Sequence, residues 1–208
     1  LLIFIGVVIF VFTAVITIAT ISIGKDETPQ VVTPPVDETP PVEELPDVDV
    51  TPIKEKFVLP VTTSNSIVVR TFFDENKTDE ELVDAVIIDN LTLVESKGIS
   101  YAMEDDKAFD VVAIFDGIVT DIKTSELSGS TVTIKHSDAV YSIYSSLTDV
   151  SVKVGNIVDG GTKFATATSS LTDIGAGVHV HLQVKVNNKF IDPTLVYGVY
   201  LDSLTDSK

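Results

Sequence analysis

Residues 177–191 read GVHVHLQVKVNNKFI. From Val178 to Val186 apolar and polar residues alternate, the pattern of a strand with one face on a core, because successive side chains leave a strand on opposite sides. Asn187 and Asn188 tolerate the positive φ angles of a tight primed turn, so the run reads as a β-hairpin. The same alternation aims His179 and His181 from one face. Two imidazoles aimed together suggest zinc, and the question becomes whether the chain supplies further ligands.

Outward from this hairpin the chain continues in short β-branched and aromatic runs: SIVVRTFF, FDVVAIF, STVTIKH and VYSIYSSL, separated by Gly, Asn, Asp and Ser clusters. The expected fold is all-β, mainly antiparallel sheet. One segment, KTDEELVDAVIIDN (77–90), reads equally as helix or strand, since Thr78 and Glu81 imitate a capping box ahead of an apolar run. The last residues, LDSLTDSK, read as a frayed tail.

Composition narrows the function. The 208 residues contain no cysteine, so disulfides and thiolate metal sites are excluded and any zinc must rest on His and carboxylate. With 31 acidic against 14 basic residues the formal charge is −17, which disfavours nucleic acid and anionic membrane surfaces as partners.

Residues 1–24, LLIFIGVVIFVFTAVITIATISIG, carry no charge and, as a helix rising about 1.5 Å per residue, match the roughly 30 Å bilayer core. They are expected to form a transmembrane anchor rather than a cleaved signal peptide, whose apolar region is shorter. Between Lys25 and Lys54 lie eight acidic residues and no basic one, the wrong composition for a cytoplasmic flank. The expectation is a single-pass membrane protein with its N-terminus cytoplasmic and its body extracytoplasmic. Residues 25–56 hold seven of the nine prolines and read as an extended, self-repelling acidic linker. The remaining organisation is a pre-domain strand region at 57–93, a β domain at 94–198 and the tail at 199–208.

ESKGISYAMEDDKAFDVVAIFDGIV, VTIKHSDAVYSIYSSL, VSVKVGNIVDGG and GVHVHLQVKVNNKFIDP follow one another in an order and spacing that resemble the lysostaphin/LytM-type metallopeptidase domain. That resemblance implies a small antiparallel β domain that cleaves peptidoglycan cross-bridges. Its zinc would be held by a His, an Asp four residues on, and the second His of a His-x-His strand. The first His of that strand and the His of a Tyr-x-His-Leu motif would assist water attack. Carried onto this chain, the zinc positions are Ser96, Ser100 and His181, and the assisting positions are Ser146, within Tyr144–Leu147, and His179. Three of the five are serines. A serine hydroxyl stays protonated at neutral pH and is a poor zinc ligand, so no metal and no cofactor is expected, and no intact catalytic set.

Other residues do not rescue the site. His136 reads as structural, Glu104, Asp105, Asp106 and Asp110 as a solvated turn without calcium-loop spacing, and no nucleophile-elbow motif presents a serine. Asn76 and Asn90 sit in Asn-x-Thr matches short enough to arise by chance.

With the upstream stretch LPVTTSNSIVVRTFFDENKTDEELVDAVIIDN included, the chain resembles more narrowly the stage II sporulation protein Q family of endospore-forming bacteria. That resemblance implies a forespore membrane protein whose non-catalytic LytM-like domain binds the extracytoplasmic domain of another membrane protein, stage III sporulation protein AH, across the intermembrane space. The alternatives are a zinc-dependent peptidoglycan endopeptidase, which would need zinc, and a wall-binding activator of a separate hydrolase, which would take peptidoglycan as partner.

Overall fold

The computed structural model describes residues 55–89 and 92–205. The expected anchor at 1–24 and nearly all of the linker at 25–56 lie outside them, as does Asn90. Among the described residues no helix is long and apolar enough to cross a membrane.

Among the described residues twelve strands form. They are β1 (Ser66–Arg70), β2 (Val86–Asp89), β3 (Thr92–Glu95), β4 (Ile99–Met103), β5 (Asp110–Val112), β6 (Gly117–Ser125), β7 (Gly129–Lys135), β8 (Val140–Thr148), β9 (Ile157–Val158), β10 (Lys163–Ser169), β11 (Val178–Val186) and β12 (Lys189–Ile191). Ten of them make one sheet along the path β1-β4-β11-β10-β8-β7-β6-β9, with β12 on β11 and β5 on β10. Every pairing is antiparallel. The all-β, LytM-like reading is thus the observed fold. β2 and β3 form a separate two-stranded ribbon.

The opening hairpin folds as its pattern dictates. Asn187 and Asn188 adopt φ of 50° and 63° between β11 and β12, while Val180, Leu182 and Val184 are fully buried on one face of β11. They join Tyr144, Leu147, Val132, Ile134 and Phe164 in a continuous apolar core.

Two ends differ from the sequence reading. In between, β1, within the strand region at 57–93, pairs with β4 in the main sheet. The tail is not frayed over its described part: Leu201–Thr205 is a short helix (α2), and Leu201 and Leu204 pack on the core. Lys56, assigned to the linker, bridges to Tyr200. Contacts beyond the reach of a local pattern supply the order: core packing for the tail, and for Lys56 the bridge to Tyr200, whose ring also lies under its ammonium.

The ambiguous segment is both things in turn. Asp79–Leu82 is one helical turn (α1), followed by a 3-10 turn and then β2. Its start is held by Glu81 Oε2, which accepts from the Thr78 N–H at 3.0 Å and the Thr78 hydroxyl at 2.9 Å.

Candidate functional site

A cleft of about 360 Å³ opens on the polar face of β11, lined by His179, His181, Gln183, Ser145, Ser146, Thr131, Thr172 and Asp173 on one side and by Ile87, Val94, Glu95 and Lys97 on the other. Strand alternation accounts for the floor: with Val180, Leu182 and Val184 turned to the core, the residues between them face the cleft.

Ser146 reaches the cleft by a different route. Along β8, Val140, Ser142 and Tyr144 are buried in strict alternation. Between the pairs Val132↔Tyr144 and Ser130↔Leu147 the β8 strand carries one more residue than β7, a bulge, and Ser146 within it has φ of 62°. The extra residue resets the phase of the strand. Leu147 therefore joins the core while Ser145 and Ser146 both line the cleft. At the same point β8 changes partner, from β11 at Ser145 to β10 at Leu147.

Two imidazole–hydroxyl pairs result. Ser146 Oγ lies 2.9 Å from His179 Nε2, and His179 Nδ1 lies 3.0 Å from the Gly177 carbonyl. A carbonyl only accepts, so Nδ1 carries the proton and Nε2 accepts from the Ser146 hydroxyl. Ser100 Oγ lies 2.9 Å from His181 Nδ1, its strand facing His181 in register. Burial, followed by the neighbouring His179, lowers the His181 pKa to about 4, with Asp173 opposing, so the ring is neutral at pH 7.

Ser96 is placed apart from this group. It is buried just ahead of β4, and its hydroxyl donates to the Gly98 carbonyl at 2.9 Å. The tight path there depends on Gly98, because a Cβ would collide with the Leu182 carbonyl on β11. The structure thus gathers Ser100, Ser146, His179 and His181 and leaves Ser96 turned onto its own backbone.

This donor set does not fit zinc. Of the three positions that the resemblance implies for zinc, His181 offers an imidazole, while Ser96 and Ser100 offer protonated hydroxyls already engaged in hydrogen bonds. Asp173 also lines the cleft, but its Oδ1 and Oδ2 accept from Arg70 Nη2 at 2.8 Å and Nε at 3.1 Å.

The Arg70–Asp173 pair escaped the sequence reading. It is largely buried and ties β1 to the loop that leads into β11 across 103 residues of chain. A carboxylate six residues before His179 in a Ser/Thr/Gly loop was the available signal; nothing local marks Arg70. Asp106 escaped as well. Read as part of a solvated turn, it adopts φ of 53° and accepts from the Val178 N–H at 2.7 Å, pinning the start of β11. Asp110 does behave as surface, pairing with Lys163.

The third histidine, His136, has both nitrogens engaged, Nδ1 with the Asp116 carbonyl at 2.7 Å and Nε2 with Ser142 Oγ at 2.8 Å. Burial lowers its pKa to about 4.

Comparison with known proteins agrees with this fold. Residues 94–193 match the family description Peptidase family M23. Stage II sporulation protein Q of Bacillus subtilis is 31% identical over 140 residues, 67% of this chain, and the chain spans about half (50%) of that relative's length. One chain of the SpoIIQ–SpoIIIAH pore-forming complex superposes with a TM-score of 0.71 at 29% identity, covering 74% of this chain and 99% of that one. A zinc-containing peptidase from Vibrio cholerae shares the fold, with a TM-score of 0.51 at 23% identity over 66% of this chain and 39% of that one. From strand order, cleft and these similarities, residues 94–193 form a peptidase family M23 domain of LytM-like fold, and the chain is similar to stage II sporulation protein Q.

Proposed function

We propose that the protein is a membrane-anchored interaction scaffold of endospore formation, whose LytM-like domain no longer performs zinc-dependent peptidoglycan cleavage and instead binds the extracytoplasmic domain of another membrane protein, like stage III sporulation protein AH. The observation that carries this reading is the similarity to a chain of the SpoIIQ–SpoIIIAH complex over 99% of that chain. The donor chemistry supports it, because hydroxyls at Ser96, Ser100 and Ser146 supply neither a closed zinc site nor a metal-activated water.

Residues 1–24 provide the single membrane span and the acidic, proline-rich linker holds the domain off the bilayer, in the forespore intermembrane space. Association needs no metal. Many tethered copies facing each other across a narrow gap gain avidity from their effective concentration. An open sheet edge could receive a partner's strand, and β6 presents one: β7 pairs along its length, whereas β9 covers only Gly117 and Ile118.

Crosslinking and pull-down of the full chain in its native cell tests the reading. The expected product is the extracytoplasmic domain of a second membrane protein. Recovery of cell-wall fragments alone would favour a wall-binding activator, and stoichiometric zinc with cleavage abolished by His181→Ala would establish an endopeptidase.

A further inference from the structure

The geometry points to Ser146 and His179 as a metal-independent nucleophile and base pair, able to accept an acyl group from an ester in the cleft. Three observations meet at this one serine. Its Oγ is 2.9 Å from His179 Nε2. The imidazole is oriented by a third group, since Nδ1–H donates to the Gly177 carbonyl at 3.0 Å and leaves the Nε2 lone pair for the hydroxyl proton. The bulge, with a non-glycine residue at φ of 62°, places Ser146 on the cleft wall, where the residue is 3% exposed. A strained residue re-aimed by a bulge beside a cleft is where a reactive side chain is found. Gly177 itself has φ of 63°, and Asp106 fixes the adjoining Val178 N–H, so the orienting carbonyl is held from a second element.

In the reaction, Ser146 Oγ adds to the carbonyl carbon while its proton passes to His179 Nε2. Collapse of the tetrahedral adduct breaks the bond to the leaving oxygen, which departs as an alcohol with the proton from His179. Water, activated in the same way, then releases the acid and restores Ser146. A backbone carbonyl orients the ring but gives the imidazolium less support than a buried carboxylate does. The pair therefore suits esters, whose alcohol leaves more easily than an amine. The Arg70-paired Asp173 carboxylate beside the cleft favours an uncharged acyl group.

The test uses the full chain in detergent micelles with a fluorophosphonate probe and peptide mapping of the adduct. One adduct is expected at Ser146, absent from Ser146→Ala and formed about a hundredfold more slowly in His179→Gln, the scale of a lost general base. A p-nitrophenyl acetate burst of one equivalent in the unmodified protein gives a second readout that needs no variant. An unlabelled Ser146 in folded protein, a missing burst, or labelling of His179→Gln at the unmodified rate overturns the assignment. The scaffold reading is unaffected by that result, because it is read from partner capture.

Discussion

All three histidines of the chain bond to a serine hydroxyl, yet the corner holding His136 and the cleft holding His179 and His181 use that bond differently. At the corner the serine is on the inside. Ser142 is fully buried, bonds onward to the Tyr144 hydroxyl at 3.1 Å, and Tyr144 in turn accepts from the Ile114 N–H at 2.8 Å. Phe57 and Phe115 stack at 4.4 Å and stand edge-on to the His136 ring at 5.6 and 5.9 Å. The imidazole there closes a chain of core hydrogen bonds. In the cleft the hydroxyls are buried as well, Ser100 at 0% and Ser146 at 3% exposure, but Ser146, His179 and His181 line the cavity, and among the described residues His181 shows a bond from Nδ1 alone. The same pair of functional groups closes a chain of core hydrogen bonds at the corner and forms part of a cavity wall in the cleft.

The largest effect comes from breaking the cleft's outer anchor. Arg70→Ala leaves the Asp173 carboxylate buried without its partner and is expected to cost about 3–5 kcal/mol. Urea unfolding should register the loss; a change under 1 kcal/mol would mean the loop carrying Asp173 relaxes into solvent.

Acid acts on both regions together. His136 and His181 have pKa values near 4 in the folded state against about 6.5 unfolded. The unfolded chain therefore binds more protons between these values, so their stabilising contribution is present above about pH 6.5 and falls away as pH drops through 4. The expected loss is a few kcal/mol in total, read as a falling melting temperature across that window. A melting temperature flat from pH 7 to 4 would disprove the sign.

Serine-to-alanine replacements sharpen the contrast. Ser142→Ala interrupts a buried chain and should cost about 1–3 kcal/mol, whereas for Ser146→Ala, whose hydroxyl is also buried but lines the cleft, water entering the vacated space should hold the loss nearer about 1 kcal/mol. Paired thermal melts of the two variants decide it; equal losses would show that both hydroxyls are rivets.

Ser96→His with Ser100→Asp restores imidazole and carboxylate at the two substituted ligand positions. Equilibrium dialysis should then detect zinc, lost again on adding His181→Ala. Failure of the double variant to take up zinc would place Ser96's orientation, toward its own Gly98 carbonyl, beyond repair by side chain alone. The smallest effect is remote from both regions: Glu81→Ala removes half of an exposed capping box and should lower the melting temperature only slightly, as a thermal melt would show.

Local chemistry made much of this protein legible. Alternation along 178–186 and the Asn187–Asn188 turn specify strand and hairpin without reference to the rest of the chain, because both depend on backbone geometry and side-chain period alone. The identity of Ser96, Ser100 and Ser146 likewise specifies hydroxyls that stay protonated near neutral pH, since protonation is a property of the residue type.

What surrounds those residues was decided by the tertiary structure. Strict alternation would leave Ser146 in the core beside Ser142 and Tyr144 and send Leu147 to solvent. The bulge brings Leu147 into the core and sets Ser146 on the cleft wall, at the point where β8 changes partner from β11 to β10. Arg70 meets Asp173, Asp106 meets Val178, and α2 settles on the core for the same reason: contacts between residues distant in the chain have no local period to announce them, and only packing brings them within bonding distance.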